Sequence, residues 1–131
     1  MKILAPADGS ECSMRALDFA IEFARRYDAD LSVVHFTDVR GEDTDRLQTR
    51  IDEKLADSGV ESDTSVSVDV HLASLKVSDR IGKDIIAVVE DDDYDHVVMG
   101  HHGTGRIGAF LLGSAAKTVL ESCDVPVTTV P

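Results

Sequence analysis

The sequence predicts an α/β fold in which a doubly wound parallel sheet carries helices on both faces. Two observations predict it. Several short apolar runs are typical of strands, and several longer segments have apolar residues at helical spacing. The two kinds of segment alternate along the 131 residues. This alternation favours parallel strands joined by crossover helices. The chain shows no linker, internal repeat or low-complexity segment, so we expect one domain over residues 1–131.

The first strand and the first helix lie close to the start of the chain. Ile3–Ala5 is a short apolar run closed by Pro6, and it predicts a strand. Apolar residues over Met14–Ala24 recur at helical spacing, with charged residues largely on the other side. Either Ser10 or Ser13 is expected to cap this helix, since serine favours the N-cap position.

The next strand and helix are separated by a polar stretch. The run Leu31–Phe36 predicts the second strand, and Thr37–Thr44 is expected to be a loop. Asp45–Ser58 predicts the second helix, because apolar residues recur there at four-residue steps, and Gly59 is expected to end it.

The third and fourth strands flank the third helix. Alternation of valines with polar residues over Val66–His71 predicts a strand with one exposed face. Ser78 is expected to cap the helix that follows, and Asp91–Asp93 to end it in a solvated acidic turn. The apolar run Val97–Met99 predicts the fourth strand.

The last part of the chain holds a glycine-rich loop, a short helix and a strand. Five glycines occur in the fourteen residues from Gly100 to Gly113. Ser114–Ser122 predicts the helix, which Ser114 could cap, and Val127–Val130 predicts the fifth strand.

Acidic residues dominate the charge balance. Thirteen Lys and Arg residues face twenty-five Asp and Glu residues, for a formal net charge of -12. Such a surface repels nucleic acid and anionic lipid, so we expect neither as a partner. The acidity suits either a salt-rich cytosol or an ordinary acidic protein. No apolar run approaches the roughly 20 residues that cross a bilayer, and Cys12 and Cys123 form no CxxC motif, so a cytoplasmic location is expected.

The glycine-rich loop carries the chemistry that the sequence predicts. Ligands of open α/β sheets bind at the carboxyl ends of the strands. Glycines let backbone N–H groups approach anionic oxygens, and a helix N-terminus offers further N–H donors. We therefore predict a phosphate cradle, with a flexible loop and a capping serine as the alternative. Its members would be Gly100, Gly103, Gly113, Ser114 and Ala115.

Two other nucleotide motifs do not fit. Gly103–Gly108 reads G-x-G-x-x-G, the pattern of a dinucleotide-binding turn. That motif must open a helix and needs an acidic residue at the end of the next strand. Here the predicted helix begins later, at Ser114, and no such acidic residue is present. No Gly-Lys dipeptide precedes Ser or Thr, which excludes a Walker A loop.

The full loop pattern G-x2-G-x9-G-[ST] resembles the universal stress protein family. Other segments spread over the chain share the resemblance. They are Lys2–Ser10, Ala16-Leu17, Val33–His35, His96–Gly100 and Asp124–Val127. The resemblance implies a five-stranded parallel sheet of order 3-2-1-4-5. It also implies binding of ATP, with Mg or Mn held through the phosphates, and pairing as a homodimer.

The resemblance also implies a role for individual residues. Pro6, Ala7 and Asp8 would lie beside the adenine and ribose, and Phe36 would line the adenine pocket. The ribose and phosphates would contact a further set of residues. These are Met99, Gly100, Gly103, Gly113, Ser114 and Ala115.

Histidines and a single arginine add to the loop. The resemblance implies that one of the two adjacent histidines faces the nucleotide, and we assign this place to His102. Arg106 either pairs with a phosphate or is solvated. His101 and His102 are adjacent, so on an extended backbone we expect their side chains to point in opposite directions, and no metal site is predicted there. Cys12 is expected to be a small helix residue without further role.

The expected function is a nucleotide-loaded stress sensor or regulator with at most slow ATP hydrolysis. A dimeric scaffold that binds no nucleotide and an enzyme acting at a nucleotide α-phosphate are the alternatives. A receiver domain is disfavoured, because Asp8 has no acidic neighbour. The segment from Val125 to Pro131 is apolar and β-branched, which is typical of an edge strand. This edge is either blunted by Pro126 and Pro131 or, as the family resemblance favours, paired with its twin across a two-fold axis through Val125–Val130.

Overall fold

The computed structural model describes residues 1–38, 40–68, 77–102 and 112–131, and it describes side chains in these ranges outside 63–79. Strands and helices alternate from end to end. The strands are β1 (Lys2–Pro6), β2 (Asp30–Thr37), β3 (Ser62–Val68), β4 (His96–Gly100) and β5 (Val127–Val130). The helices are α1 (Glu11–Tyr27), α2 (Glu42–Ala56), α3 (Val77–Asp91) and α4 (Ser114–Ser122).

The strands form one parallel sheet in the order β3-β2-β1-β4-β5. The predicted α/β class with a parallel sheet is confirmed. The order reverses between β1 and β4, since β2 and β3 extend from one side of β1 and β4 and β5 from the other. A crevice at the carboxyl ends of β1 and β4 is therefore the expected place for a ligand.

Each face of the sheet has its own apolar core, because neighbouring residues of a strand point to opposite faces. Ile3 and Ala5 of β1 join the core under α1 and α2, whereas Leu4 joins the core under α3 and α4. In β4, Val98 faces the first core, and Val97 and Met99 face the second. The prediction of helices on both faces is confirmed.

The first turn of α1 is fixed by a serine cap. The backbone N–H of Ser13 donates to Ser10 Oγ at 3.1 Å, so Ser10 and not Ser13 is the N-cap. The segment before it turns sharply at Gly9, whose φ of 80° is the left-handed region that favours glycine. The chain thereby reverses directly from the end of β1 into α1.

The second helix begins earlier than the sequence indicated. Thr44 was expected in a loop, but α2 starts at Glu42, with Gly41 in extended conformation as its N-cap. Thr44 is only 6% exposed. Acidic residues fill the first turn, where the positive end of the helix dipole stabilises them. The prediction missed this turn because it relied on apolar periodicity, which acidic residues do not show.

Two predicted caps are wrong, and one strand is described in part. Ser78 is the second residue of α3, and the N-cap of α4 is Gly113, which places Ser114 inside the helix. β3 ends at Val68 as described, and Val70 and His71 lie outside the described residues. The acidic turn is confirmed: α3 ends at Asp91, and Asp93 adopts a φ of 54°.

None of the helices within the described ranges has the length and apolar character needed to cross a membrane.

His96 links the amino ends of β4 and β5. Its Nε2 lies 2.9 Å from Thr128 Oγ1, and its ring centroid lies 5.2 Å from that of Phe23. Burial lowers the pKa of His96 below the ordinary value of 6.5, because the surroundings disfavour the charged imidazolium. The folded protein therefore binds a proton at this site less readily than the unfolded chain does.

We expect His96 to make stability depend on pH near neutrality. Because its pKa is lowered on folding, its contribution is full above 6.5 and is lost as the pH falls through the folded pKa. Urea unfolding of the protein and of His96→Gln, measured from about pH 7.5 to about pH 5.5, checks this. The variant should lose less stability over that window. Equal losses would contradict the assignment.

Candidate functional site

The end of β1 is held against β2 where the candidate site begins. The N–H of Ala7 donates to the carbonyl oxygen of Val34 at 2.9 Å. His35 Nδ1 lies 2.7 Å from the carbonyl oxygen of Ala7, and since a carbonyl only accepts, Nδ1 carries the proton. These two bonds fix Pro6 and Ala7 at the carboxyl edge of the sheet.

Asp8 follows at the same edge and is exposed. Its Oδ1 accepts the N–H of Ser10 at 3.0 Å, and its own N–H donates to Ser13 Oγ at 3.3 Å. The carboxylate is thus oriented by the first turn of α1 and still faces solvent. A charged acceptor in this place suits a ligand hydroxyl.

Gly100 lets β4 approach α1 more closely than any other residue would. A Cβ at this position would lie 3.0 Å from the backbone nitrogen of Ser13 and 3.1 Å from the backbone carbonyl carbon of Cys12. These neighbours belong to a helix and not to a flexible side-chain end. The sequence predicted a glycine here for contact with phosphate, but in the structure its surroundings are those of a helix–strand contact.

His101 connects four elements at this edge. Its N–H donates to the carbonyl oxygen of Val130 at the end of β5 (2.9 Å), and its carbonyl accepts the N–H of Gly113 (2.8 Å). Its ring Nδ1 lies 3.1 Å from the Sγ of Cys12 in α1. The residues that enter and leave the glycine-rich loop are therefore joined directly to each other.

The N-terminus of α4 starts at this junction. Gly113 is buried, and as N-cap it has no side chain that could accept the first amides of the helix. The first amides of a helix, here those of Ser114 and Ala115, have no intrahelical acceptor. The first turn holds no acidic residue, so the positive end of the dipole is not neutralised there. This arrangement favours an anion.

The remaining described candidates lie on the α3 and α4 face of the sheet. Phe36 and Ala115 pack on the core that contains Met99, which is 5% exposed. Arg80 of α3 forms an ion pair with Asp38, just beyond β2. The sequence analysis had not singled out this arginine. Gly103 and Arg106 lie outside the described residues.

A cavity of about 730 Å³ opens at the same edge but on the α2 face. It is lined by Asp8, Gly9, His35 and Thr37 together with the first two turns of α2. Of the predicted site residues within the described ranges, Asp8 alone lines this cavity. The predicted site residues are therefore divided between the two faces: Ala7 belongs to the core under α1 and α2, whereas Phe36 and Met99 belong to the core under α3 and α4.

Cys12, His101 and His102 form a cluster that the sequence analysis missed. One potential ligand atom from each residue lies within 4.8 Å of the other two. The rings of His101 and His102 have centroids 4.2 Å apart, so the expectation that adjacent histidines point in opposite directions is wrong. The segment after β4 is not extended, which brings both rings to one side. The signal that could have found the cluster is the pairing of β1 with β4. Cys12 follows β1 and the two histidines follow β4, so neighbouring strands bring the three residues to the same edge.

Comparison with known proteins identifies the family. The sequence model of the universal stress protein family matches residues 1–131. The chain belongs to this family. It is 28% identical to the universal stress protein MJ0531 of Methanocaldococcus jannaschii over 137 aligned residues, which cover 98% of this chain and 81% of the relative.

Solved structures of universal stress proteins share the fold. One from Archaeoglobus fulgidus, determined in complex with dAMP, has a TM-score of 0.74 at 21% identity, over 100% of this chain and 98% of that one. Another, determined in complex with cAMP, has a TM-score of 0.78 at 20% identity, over 99% of this chain and 95% of that one.

The contact at Gly100 predicts a stability difference between two glycine substitutions. Gly100→Ala should lower the free energy of unfolding by about 1–3 kcal/mol, because the backbone of α1 must move away from the added Cβ. Gly41→Ser is the control, since nothing lies within 4 Å of its added Cβ and serine also serves as an N-cap; it should stay within about 0.5 kcal/mol. Urea unfolding of both variants measures this. Equal effects would show that the α1–β4 contact is not tight.

Proposed function

We propose that this universal stress protein binds ATP at the carboxyl edge of its sheet and acts in the cytoplasm as a nucleotide-loaded stress sensor or regulator. The observation that carries the proposal is the N-terminus of α4. Its amides have no side-chain cap at Gly113, and it starts where the strand order reverses. Both features are typical of phosphate sites in parallel α/β folds.

The base and ribose are assigned to the ends of β1 and β2. Asp8 accepts hydrogen bonds from the ribose hydroxyls, since its carboxylate is oriented and exposed. Pro6 and Ala7 lie directly before it and flank the base. Phe36 lies at the end of β2 on the α3 and α4 face, and it supplies an aromatic wall for adenine.

The phosphates are assigned to the β4–α4 region. Met99 and Gly100 lie beneath the ribose and phosphates, and His102 and Arg106 contact the phosphates from the loop. Backbone amides hold the phosphate oxygens. Those amides belong to Gly103, Gly113, Ser114 and Ala115. Mg²⁺ or Mn²⁺ binds through the phosphates themselves, and hard phosphate oxygens suit both ions.

The comparisons support an adenine nucleotide in particular. Two structural relatives were determined with dAMP and with cAMP, and both ligands carry adenine, a sugar and a phosphate. The protein has a formal net charge of -12, which repels a polyphosphate at long range. Local amide donors and a bound divalent ion offset that repulsion at the site.

A regulator fits the described residues better than a fast enzyme does. Phosphoryl transfer needs a cation on the transferred group and a residue that positions the nucleophile. Lys117, the lysine of α4, is exposed and lies 3.8 Å from Glu121 at its Nζ. Arg106 and the divalent ion are the cations that we assign to the phosphates, and we assign no side chain to position an attacking nucleophile. We therefore assign at most slow hydrolysis.

We further propose that the protein forms a homodimer through Val125–Val130. β5 pairs with β4 on one side and ends the sheet on the other. All four residues of β5 are partly exposed. Pairing with the same strand of a second copy removes the open edge.

Gly113→Val tests the cradle. A branched side chain at this N-cap fills the space beside the first amides of α4, so Mg-ATP affinity should fall by at least about 100-fold, as expected for the loss of two charge-assisted hydrogen bonds. Titration calorimetry with Mg-ATP measures the affinity, and circular dichroism checks the fold of each variant.

Gly41→Val is the matched control for this experiment. Gly41 is likewise an extended N-cap glycine, and it has open space around it. The affinity of the Gly41→Val variant for Mg-ATP should stay within about twofold of that of the unchanged protein. Retention of the original affinity by a folded Gly113→Val variant would leave the non-nucleotide scaffold as the better interpretation.

A further inference from the structure

Three soft or borderline metal ligands meet where α1 contacts the end of β4. Cys12 Sγ lies 3.1 Å from His101 Nδ1, and one nitrogen of His102 completes a group whose members are all within 4.8 Å of one another. Cys12 is 1% exposed, whereas both histidines are partly exposed. The cluster is therefore closed on the thiol side and open on the imidazole side.

The positions of these ligands are set by the backbone. Cys12 lies in the first turn of α1, which is pinned by the Ser10 cap and by the close contact at Gly100. His101 is held at both ends of its peptide unit by hydrogen bonds to Val130 and Gly113. Preorganised ligands lose little conformational freedom when an ion binds.

We propose that Cys12, His101 and His102 form a Zn²⁺ site that is separate from the divalent ion carried by the nucleotide. Thiolate sulfur and imidazole nitrogen are the ligands that Zn²⁺ prefers, and they suit Mg²⁺ poorly. Three protein ligands leave one tetrahedral position open, and water fills it. One proton leaves the protein on binding, because the thiol becomes a thiolate.

The adjustment that zinc requires is small. With Zn–S near 2.3 Å and Zn–N near 2.0–2.1 Å, a tetrahedral angle separates sulfur from nitrogen by about 3.6 Å. The present separation of 3.1 Å must therefore widen by about 0.5 Å. Cys12 also gives up its 3.0 Å contact with the carbonyl oxygen of Val130, which keeps the N–H of His101 as donor.

Bound zinc would tie α1 to the residue pair that enters the glycine-rich loop. His102 is also assigned to the nucleotide site in the proposed function, but the zinc site does not depend on that assignment. Its test therefore uses the full-length protein without nucleotide, so failure of one proposal leaves the other in place.

Cobalt substitution reports the proposed thiolate ligand directly. Addition of Co²⁺ to the reduced protein should give a thiolate-to-cobalt charge-transfer band that saturates at one ion per chain, and Zn²⁺ should abolish it. Cys12→Ser should remove the band and raise the Kd for Zn²⁺ by at least about 100-fold, since a primary ligand is lost. A chromophoric chelator in competition measures that Kd.

Cys123→Ser is the matched control, because Cys123 is the other free cysteine and lies outside the cluster. It should keep the band and the affinity. His101→Gln and His102→Gln each should weaken Zn²⁺ binding by at least about tenfold, and they keep the experiment decisive if Cys12→Ser does not fold. The proposal would be overturned if the unchanged protein gave no charge-transfer band, or if the histidine variants bound Zn²⁺ as tightly as the unchanged protein. The contact between Cys12 and His101 would then be only a thiol–imidazole hydrogen bond.

Discussion

The contact between the first turn of α1 and the end of β4 is the constraint on which the rest of the site depends. Gly100 has no side chain, so the backbone of Cys12 and Ser13 approaches β4 closely. His101 then joins that contact to the end of β5 and to Gly113 at the start of α4. As a result, the turn after β1 and the N-terminus of α4 meet at the carboxyl edge, where the strand order reverses.

Glycine therefore has two different roles at this edge. The sequence suggested that the glycines of the loop make room for phosphate, and the open N-cap at Gly113 fits that interpretation. Gly100 instead makes room for α1. A motif that resembles a ligand-binding pattern thus also encodes the packing that positions the ligand, and a substitution within it changes stability as well as affinity.

Much of the fold could be predicted because apolar spacing reports directly on burial. The boundaries of α4 and β5 agree with the predicted Ser114–Ser122 and Val127–Val130. The start of α2 could not be found in this way, since its first turn is acidic and is stabilised by the helix dipole. Capping was equally hard to assign at α4, where glycine precedes serine and either could serve as N-cap.

The candidate site was harder to predict, because it depends on distance in space. The local pattern indicated Asp8 and Gly113, and both lie at the carboxyl edge of the sheet. The partnership of Cys12 with His101 joins residues 89 positions apart, and it also needs the bend after β4 that brings His102 to the same side. Neither the contact between Cys12 and His101 nor the bend after β4 can be predicted from residue spacing along the chain.

The most direct test of the account is the nucleotide content of the purified protein. We would purify it in both low and molar salt, denature it, and identify any released nucleotide by mass spectrometry, together with a Mg-ATP titration of the folded protein. We expect released ATP or saturable binding of about one ATP per chain in at least one of the two salts. A folded protein that carries and binds no nucleotide in either salt would contradict it.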